Sequence, residues 1–119
     1  MRGGAGGSQV DLKALLPVKP KWFHILLALS SEPMHGFAIR DSVDVRTGGT
    51  VRLWPATLYG AIREMGALGL IEPLEGDEDP DDDQRRRYYQ LTVRGRELLR
   101  LEADRLQALV NAVHRTQRA

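Results

Sequence analysis

The stretch from Leu53 to Leu91 reads as one short amphipathic helix followed at once by a β-hairpin, and few folds accommodate that order. Pro55 opens the helix, at the first-turn position where its missing N–H costs nothing. Leu58, Ala61, Ile62 and Met65 recur at the spacing of one inward stripe, and Leu68-Gly69-Leu70 ends the helix. Leu70 to Leu74 and Arg87 to Leu91 are the expected hairpin arms, with the acidic segment Glu75 to Asp83 as their loop. Three consecutive arginines, Arg85-Arg86-Arg87, enter the returning arm. A rigid helix beside a basic ribbon suits one DNA major groove and its flanking phosphates, which is the geometry of a winged helix-turn-helix.

Around this segment the chain reads as helices. Residues 1–9 are glycine-rich with no apolar face and are expected to be disordered. Val10 to Leu16 has the length of a short helix ended by Pro17. A helix from Lys21 to about Ser31 follows, burying Trp22, Ile25, Leu26 and Leu29. Proline at 33 breaks it through its effect on the preceding residue. A second helix from about His35 to Arg46 buries Ile39 and Val43 and stops at Thr47-Gly48-Gly49. Thr50 to Leu53 is β-branched and short, which predicts a small first strand. Thr92 has the character of an N-cap, and a final helix runs to roughly Val113. The division is therefore 1–9 as a glycine-rich N-terminus, 10–91 as the winged head and 92–119 as a C-terminal helix. The fold class is mainly α with a small β-hairpin wing.

Size and composition narrow the function. A chain of 119 residues supports one modest core. No apolar run approaches the roughly 18 residues of a membrane span, and the N-terminus lacks a signal-peptide core. The absence of cysteine excludes disulfides, thiolate nucleophiles and cysteine-built zinc sites, and a reducing cytoplasm is the expected compartment. Net charge is only +1, yet residues 71–84 hold eight carboxylates and no basic side chain, whereas residues 85–119 hold nine arginines. Local charge says more about the partner than the total does.

Three constellations could carry function. The outer side of the Pro55 helix shows Ala56, Gly60 and Arg63, with Thr57 and Tyr59 on its flanks. The small residues allow close backbone approach, and Thr57, Tyr59 and Arg63 offer hydrogen bonds to base edges or phosphates. On the hairpin, alternation puts Arg85, Arg87 and Tyr89 on one face and Arg86 and Tyr88 on the other. Either these arginines reach DNA or they neutralise the adjacent carboxylates. In the last helix, Leu99, Ala103, Leu106, Val110 and Val113 form a stripe that Leu98 and Leu109 widen beyond what a small head covers, which points to a twofold homodimer. Asp77, Asp79 and Asp81 alternate, but a calcium loop beginning at Asp77 would need glycine at 82 and glutamate at 88, where Asp82 and Tyr88 stand. His24, His35 and His114 are scattered without metal-ligand spacing, so neither a metal site nor an enzyme is expected, and His35 reads as a helix-start residue bonded to backbone.

Taken together, ILLALSSEPMHGFAI (25–39), RTGGTVRLWPATLYGAI (46–62), LGLIE (68–72) and RRRYYQLTVRGRELL (85–99) resemble the PadR family of transcriptional regulators, particularly its short subfamily. The resemblance implies a homodimeric repressor that binds a palindromic operator in double-stranded DNA. It also implies release by a small effector, commonly phenolic or hydrophobic. By matching positions, DNA contact falls to Pro55, Thr57, Tyr59, Arg63 and Arg85 to Arg87. This sequence departs from the family pattern at Phe37, where tyrosine is usual, at Ala56 for a frequent glycine, and at Gly60 for a frequent arginine. The last helix has no aromatic residue, so the stacking platform some relatives offer is missing; Trp22 or Trp54 could line an effector cavity, although a buried tryptophan is more often core. The competing class is a winged-helix module that docks another protein through its acidic loop and binds no DNA.

Overall fold

A computed structural model describes residues 10–74 and 87–118. Within them the order is a single 3₁₀ turn (Leu12–Leu15), α1 (Pro20–Ser31), β1 (Met34–His35), α2 (Gly36–Arg46), α3 (Pro55–Ala67), β2 (Ile71–Pro73), β3 (Tyr88–Leu91) and α4 (Val93–Gln117). Residues 1–9 and the acidic segment with Arg85 and Arg86 lie outside the described residues. The helices stand where periodicity put them, and α4 continues four residues past Val113. The leading helix shrinks to the 3₁₀ turn, whose N-cap Asp11 accepts from the Lys13 N–H.

The core is one cluster. Ile25, Leu26 and Leu29 of α1, Ile39 and Val43 of α2, Leu58, Ile62 and Met65 of α3, and Leu70, Tyr89, Leu91 and Leu98 are all buried in it. Each helix contributes the stripe its sequence spacing defines, so three short helices and a sheet close around one apolar centre.

One strand lies elsewhere than expected. Thr50 to Leu53 forms no strand, and the third strand of the antiparallel sheet is Met34–His35, giving the order β1-β3-β2. Its register pairs Met34 with Tyr89 and His35 with Tyr88, while Ile71 pairs with Leu91 and Glu72 with Gln90. The physical reason is local capture of the backbone after α2. The Thr47 hydroxyl donates to the Val43 carbonyl at 2.8 Å and accepts from the Val51 N–H at 3.2 Å. Gly48 and Gly49 take positive φ to make that turn, and Leu53 is then buried in the core. His35 ends β1 and caps α2 in one residue, its Nδ1 accepting from the Ala38 N–H at 3.2 Å.

The start of α4 is tied to the end of α3 by several bonds. The Thr92 hydroxyl donates to the Gly69 carbonyl at 2.6 Å and accepts from the Gly95 N–H at 2.9 Å. The Thr92 N–H donates to the Leu70 carbonyl, and Arg94 Nε donates to the Leu68 carbonyl at 2.9 Å. Gly69, at φ 77°, supplies the left-handed residue that ends α3. The start of the long helix is thereby anchored to the end of α3.

Candidate nucleic-acid interface

The site begins with what α3 leaves uncovered. Leu58, Ala61, Ile62 and Met65 face the core, so Pro55, Ala56, Thr57, Arg63, Glu64, Gly66 and Ala67 are exposed. Gly60 has open space around it, an added Cβ meeting only Arg63 Nη2 at 3.9 Å. The helix N-terminus has no side-chain cap, and Pro55 stands in its first turn. Free N–H groups with the helix dipole behind them favour an approaching anion. Small residues and one long cation around an uncapped N-terminus form a surface that a backbone or base edge can approach closely.

Tyr59 departs from that surface. Its side chain turns inward, and its hydroxyl lies so close to Gly36 that any Cβ there would collide with it. The half-buried ring packs on the core, which fixes the spacing of α2 and α3. Tyr59 is therefore a contact between helices in this structure and not part of the exposed face, because a flank position on α3 is covered once α2 is docked.

Arg63 and Arg87 converge. Both line a cleft of about 180 Å³ between α3 and the wing, together with Ile62, Gly66, Ile71, Glu72, Pro73 and Tyr89. Glu72 is held across the sheet by Gln90, whose Nε2 donates to Glu72 Oε2 at 3.0 Å. Arg87 is half-buried, and its Nε has no hydrogen-bond partner among the described residues. Among the described residues, two guanidinium groups beside one carboxylate leave the cleft net positive, and guanidinium geometry matches phosphate oxygens. On β3, Tyr89 is buried while Tyr88 is 39% exposed, confirming the alternation of the two faces. The Tyr88 ring meets the His35 ring edge-on at 5.3 Å.

The two tryptophans do not share a cavity. Trp22 lines a cleft of about 570 Å³ between the start of α1 and α3. Trp54 is 59% exposed and borders a separate cleft of about 100 Å³ with Arg40, Asp41, Asp44, Arg52 and Leu53. Flanking positions on different helices gave no sequence signal of that separation.

The last helix also differs from expectation. Leu98 is fully buried and Leu99 is half-buried against the head, so the residues that turn toward the head are Gly95, Leu98 and Glu102. Ala103 is exposed and Leu106 half-buried, whereas Leu109, Val110 and Val113 are 52%, 46% and 55% exposed. Leu99 thus packs against the chain's own core, and the uncovered part of the stripe is Ala103 together with the distal Leu109, Val110 and Val113. Burial of Glu102 was invisible in the sequence, because an acidic residue at a helix position ordinarily faces water. Its partner is one turn on: Arg105 donates twice, Nε at 2.8 Å and Nη2 at 2.7 Å. That pairing and the Val18 backbone hold the Glu102 carboxyl below its ordinary range against the opposing effect of burial.

These elements match known proteins. The model of the transcriptional regulator PadR-like family covers residues 25–101. The chain belongs to this family. Among solved structures, it is similar to the PadR-like transcriptional regulator from Bacillus cereus (20% identity, 91% of this chain and 96% of that chain, TM-score 0.65). It is also similar to a transcriptional regulator from Clostridium thermocellum, at 20% identity over 79% of this chain and 86% of that one, with a TM-score of 0.64. In sequence it is 38% identical, over 89 residues and 75% of its length, to an uncharacterized 37.1 kDa protein in transposon TN4556 of Streptomyces fradiae. The chain spans 24% of that relative. PadR-family proteins are DNA-binding transcriptional regulators and not enzymes, and the mainly helical head with its three-stranded sheet is their winged-helix fold. No helix among the described residues is long and apolar enough to cross a membrane.

Proposed function

We propose that this PadR-family chain is a homodimeric repressor acting in the cytoplasm on a palindromic operator. In this reading α3 lies in the major groove with Ala56, Thr57, Gly60 and Arg63 toward the bases, and Arg85 to Arg87 of the wing grip phosphates. The convergence of Arg63 and Arg87 on one net-positive cleft carries the assignment, since it joins the recognition helix and the wing in a single anion-binding edge. Two copies joined along the distal half of α4 would set their α3 helices in successive major grooves, about 34 Å apart. A small hydrophobic or phenolic effector would release the operator, with Trp22 and Trp54, on two separate clefts, as its candidate contacts in the head.

The test is a gel-shift titration against fragments of the source genome. Arg63→Ala should weaken the best fragment by about 30-fold or more, the scale of one bidentate contact of at least about 1 kcal/mol counted in both halves of a dimer. Its circular dichroism and melting should not change, because Arg63 is exposed. Wild-type protein that shifts no fragment at low ionic strength would overturn the proposal.

A further inference from the structure

Lysine is confined to one place in this chain. All three lysines, Lys13, Lys19 and Lys21, precede Trp22, and every other basic side chain apart from histidine is arginine. Lys19 stands at the N-cap position of α1 without a side-chain capping bond, and Lys21 lies in the first turn. Together with Pro20 and Trp22 they form one wall of the cleft of about 570 Å³ whose other wall is α3.

The position of that cleft around α3 is informative. At about 100° per residue, Thr57, Gly60 and Glu64 lie on one flank of α3, and Ile62 and Gly66 lie on the other. The first flank faces the lysines and the second faces the wing. Arg63, between them, lines both clefts. The uncovered face of α3 is therefore bordered by cations on both sides. A duplex with its major groove, about 12 Å wide, over such a helix brings one phosphate rail to each border.

We infer that Lys19 and Lys21 contact DNA phosphates on the side of α3 away from the wing, making a second backbone clamp. The charge of the cleft supports this occupant: three cations, Lys19, Lys21 and Arg63, stand against one carboxylate, Glu64. Neither lysine forms an ion pair among the described residues. Lys19 Nζ instead sits 4.8 Å from the centre of the Trp22 ring, which steadies the ammonium at the rim without neutralising it. A flexible stem with a compact charge suits a rail whose distance varies with DNA shape. Such contacts add affinity and register but no base discrimination.

The inference rests on the DNA-binding reading, and one experiment separates the two. Purified protein is acetylated with a succinimidyl acetate, alone and with a duplex of about 30 base pairs, long enough for two half-sites. Mass spectrometry reads each lysine. Lys19 and Lys21 should be protected by the duplex, while Lys13, exposed and outside the cleft, serves as the internal reference. In parallel, Lys19→Gln with Lys21→Gln should flatten the slope of log affinity against log salt by about 0.9 for each lysine in each bound chain. Lys19→Arg with Lys21→Arg should restore it. Equal acetylation with and without bound duplex, or an unchanged slope, overturns the clamp while leaving DNA binding by α3 and the wing intact. Failure of the wild-type protein to bind the duplex at low salt overturns both.

Discussion

Helices α3 and α4 are both amphipathic, yet the faces they leave uncovered are opposite in kind. The open side of α3 carries Ala56, Thr57, Gly60 and Arg63, small or polar, with basic groups on its borders. The open part of α4 carries Leu109, Val110 and Val113, all apolar. At 25 residues, about 37 Å, α4 outruns a head that covers only its first turns. An exposed helical face fits a hydrated polyanion when it is small and cationic, and fits another protein surface when it is aliphatic. The contrast is the ground for proposing different partners at the two ends of one molecule.

The largest effect should follow from reversing the character of α4. Val110→Glu with Val113→Glu should convert the proposed dimer to a monomer in light scattering. Operator affinity should fall by roughly 10² or more, because the second half-site no longer binds intramolecularly. The head should melt almost as before, since neither side chain belongs to its core. A double variant that stays dimeric would remove α4 as the pairing surface.

Within the head, the two helices differ again at their glycines. A Cβ on Gly95 would collide with the Leu70 carbonyl oxygen, a backbone atom that cannot rotate away. Gly95→Ala should therefore destabilise the protein by about 3 kcal/mol, the upper end for overpacking a tight contact. Urea unfolding measures it, and an unchanged midpoint would show that the joint between α4 and the wing is looser than its bonds suggest.

Much of this architecture could be read from residue order, for reasons that differ by element. Pro55 and Thr92 mark helix starts because their chemistry is local, and Gly69 marks the end of α3 because only glycine enters that conformation freely. Other features depend on partners distant in sequence. Met34 and His35 are too few to show a strand period, and they become a strand only because β3 lies alongside. Tyr59 looks available on a helical wheel until Gly36 is placed beneath its hydroxyl. The choice of Leu98 over Leu99 as the inward residue of α4 depends on the crossing of α4 over α1, which periodicity alone leaves open by one position.

Glu102 marks the point where α4 passes from covered to open, and it should give a smaller, pH-dependent effect. Its folded carboxyl is held low chiefly by Arg105. A carboxylate with a depressed folded value adds stability above its unfolded value, near pH 4.3, and loses that stability as pH falls through the folded value. Glu102→Gln should cost about 1.5 to 2 kcal/mol at pH 7, at the lower end of the range for a hydrogen bond to a charged group. The gap between the wild type and Glu102→Gln should close as pH drops below about 4. Melting temperatures across pH measure the gap, and a gap that stays constant would mean that Glu102 contributes packing and not charge.

The smallest effect should have the opposite sign from its counterpart on α4. Gly60 stands in open space on a helix interior, so alanine there strains nothing and narrows the unfolded ensemble. Gly60→Ala should stabilise the head by about 0.5 to 1 kcal/mol, against the loss at Gly95. If a duplex occupies that space, the gain in stability should accompany weaker binding that grows with side-chain size, from Ala to Leu at position 60. Equal affinity for Gly60→Ala and Gly60→Leu would place the DNA away from this part of α3, and the open face would then need another occupant.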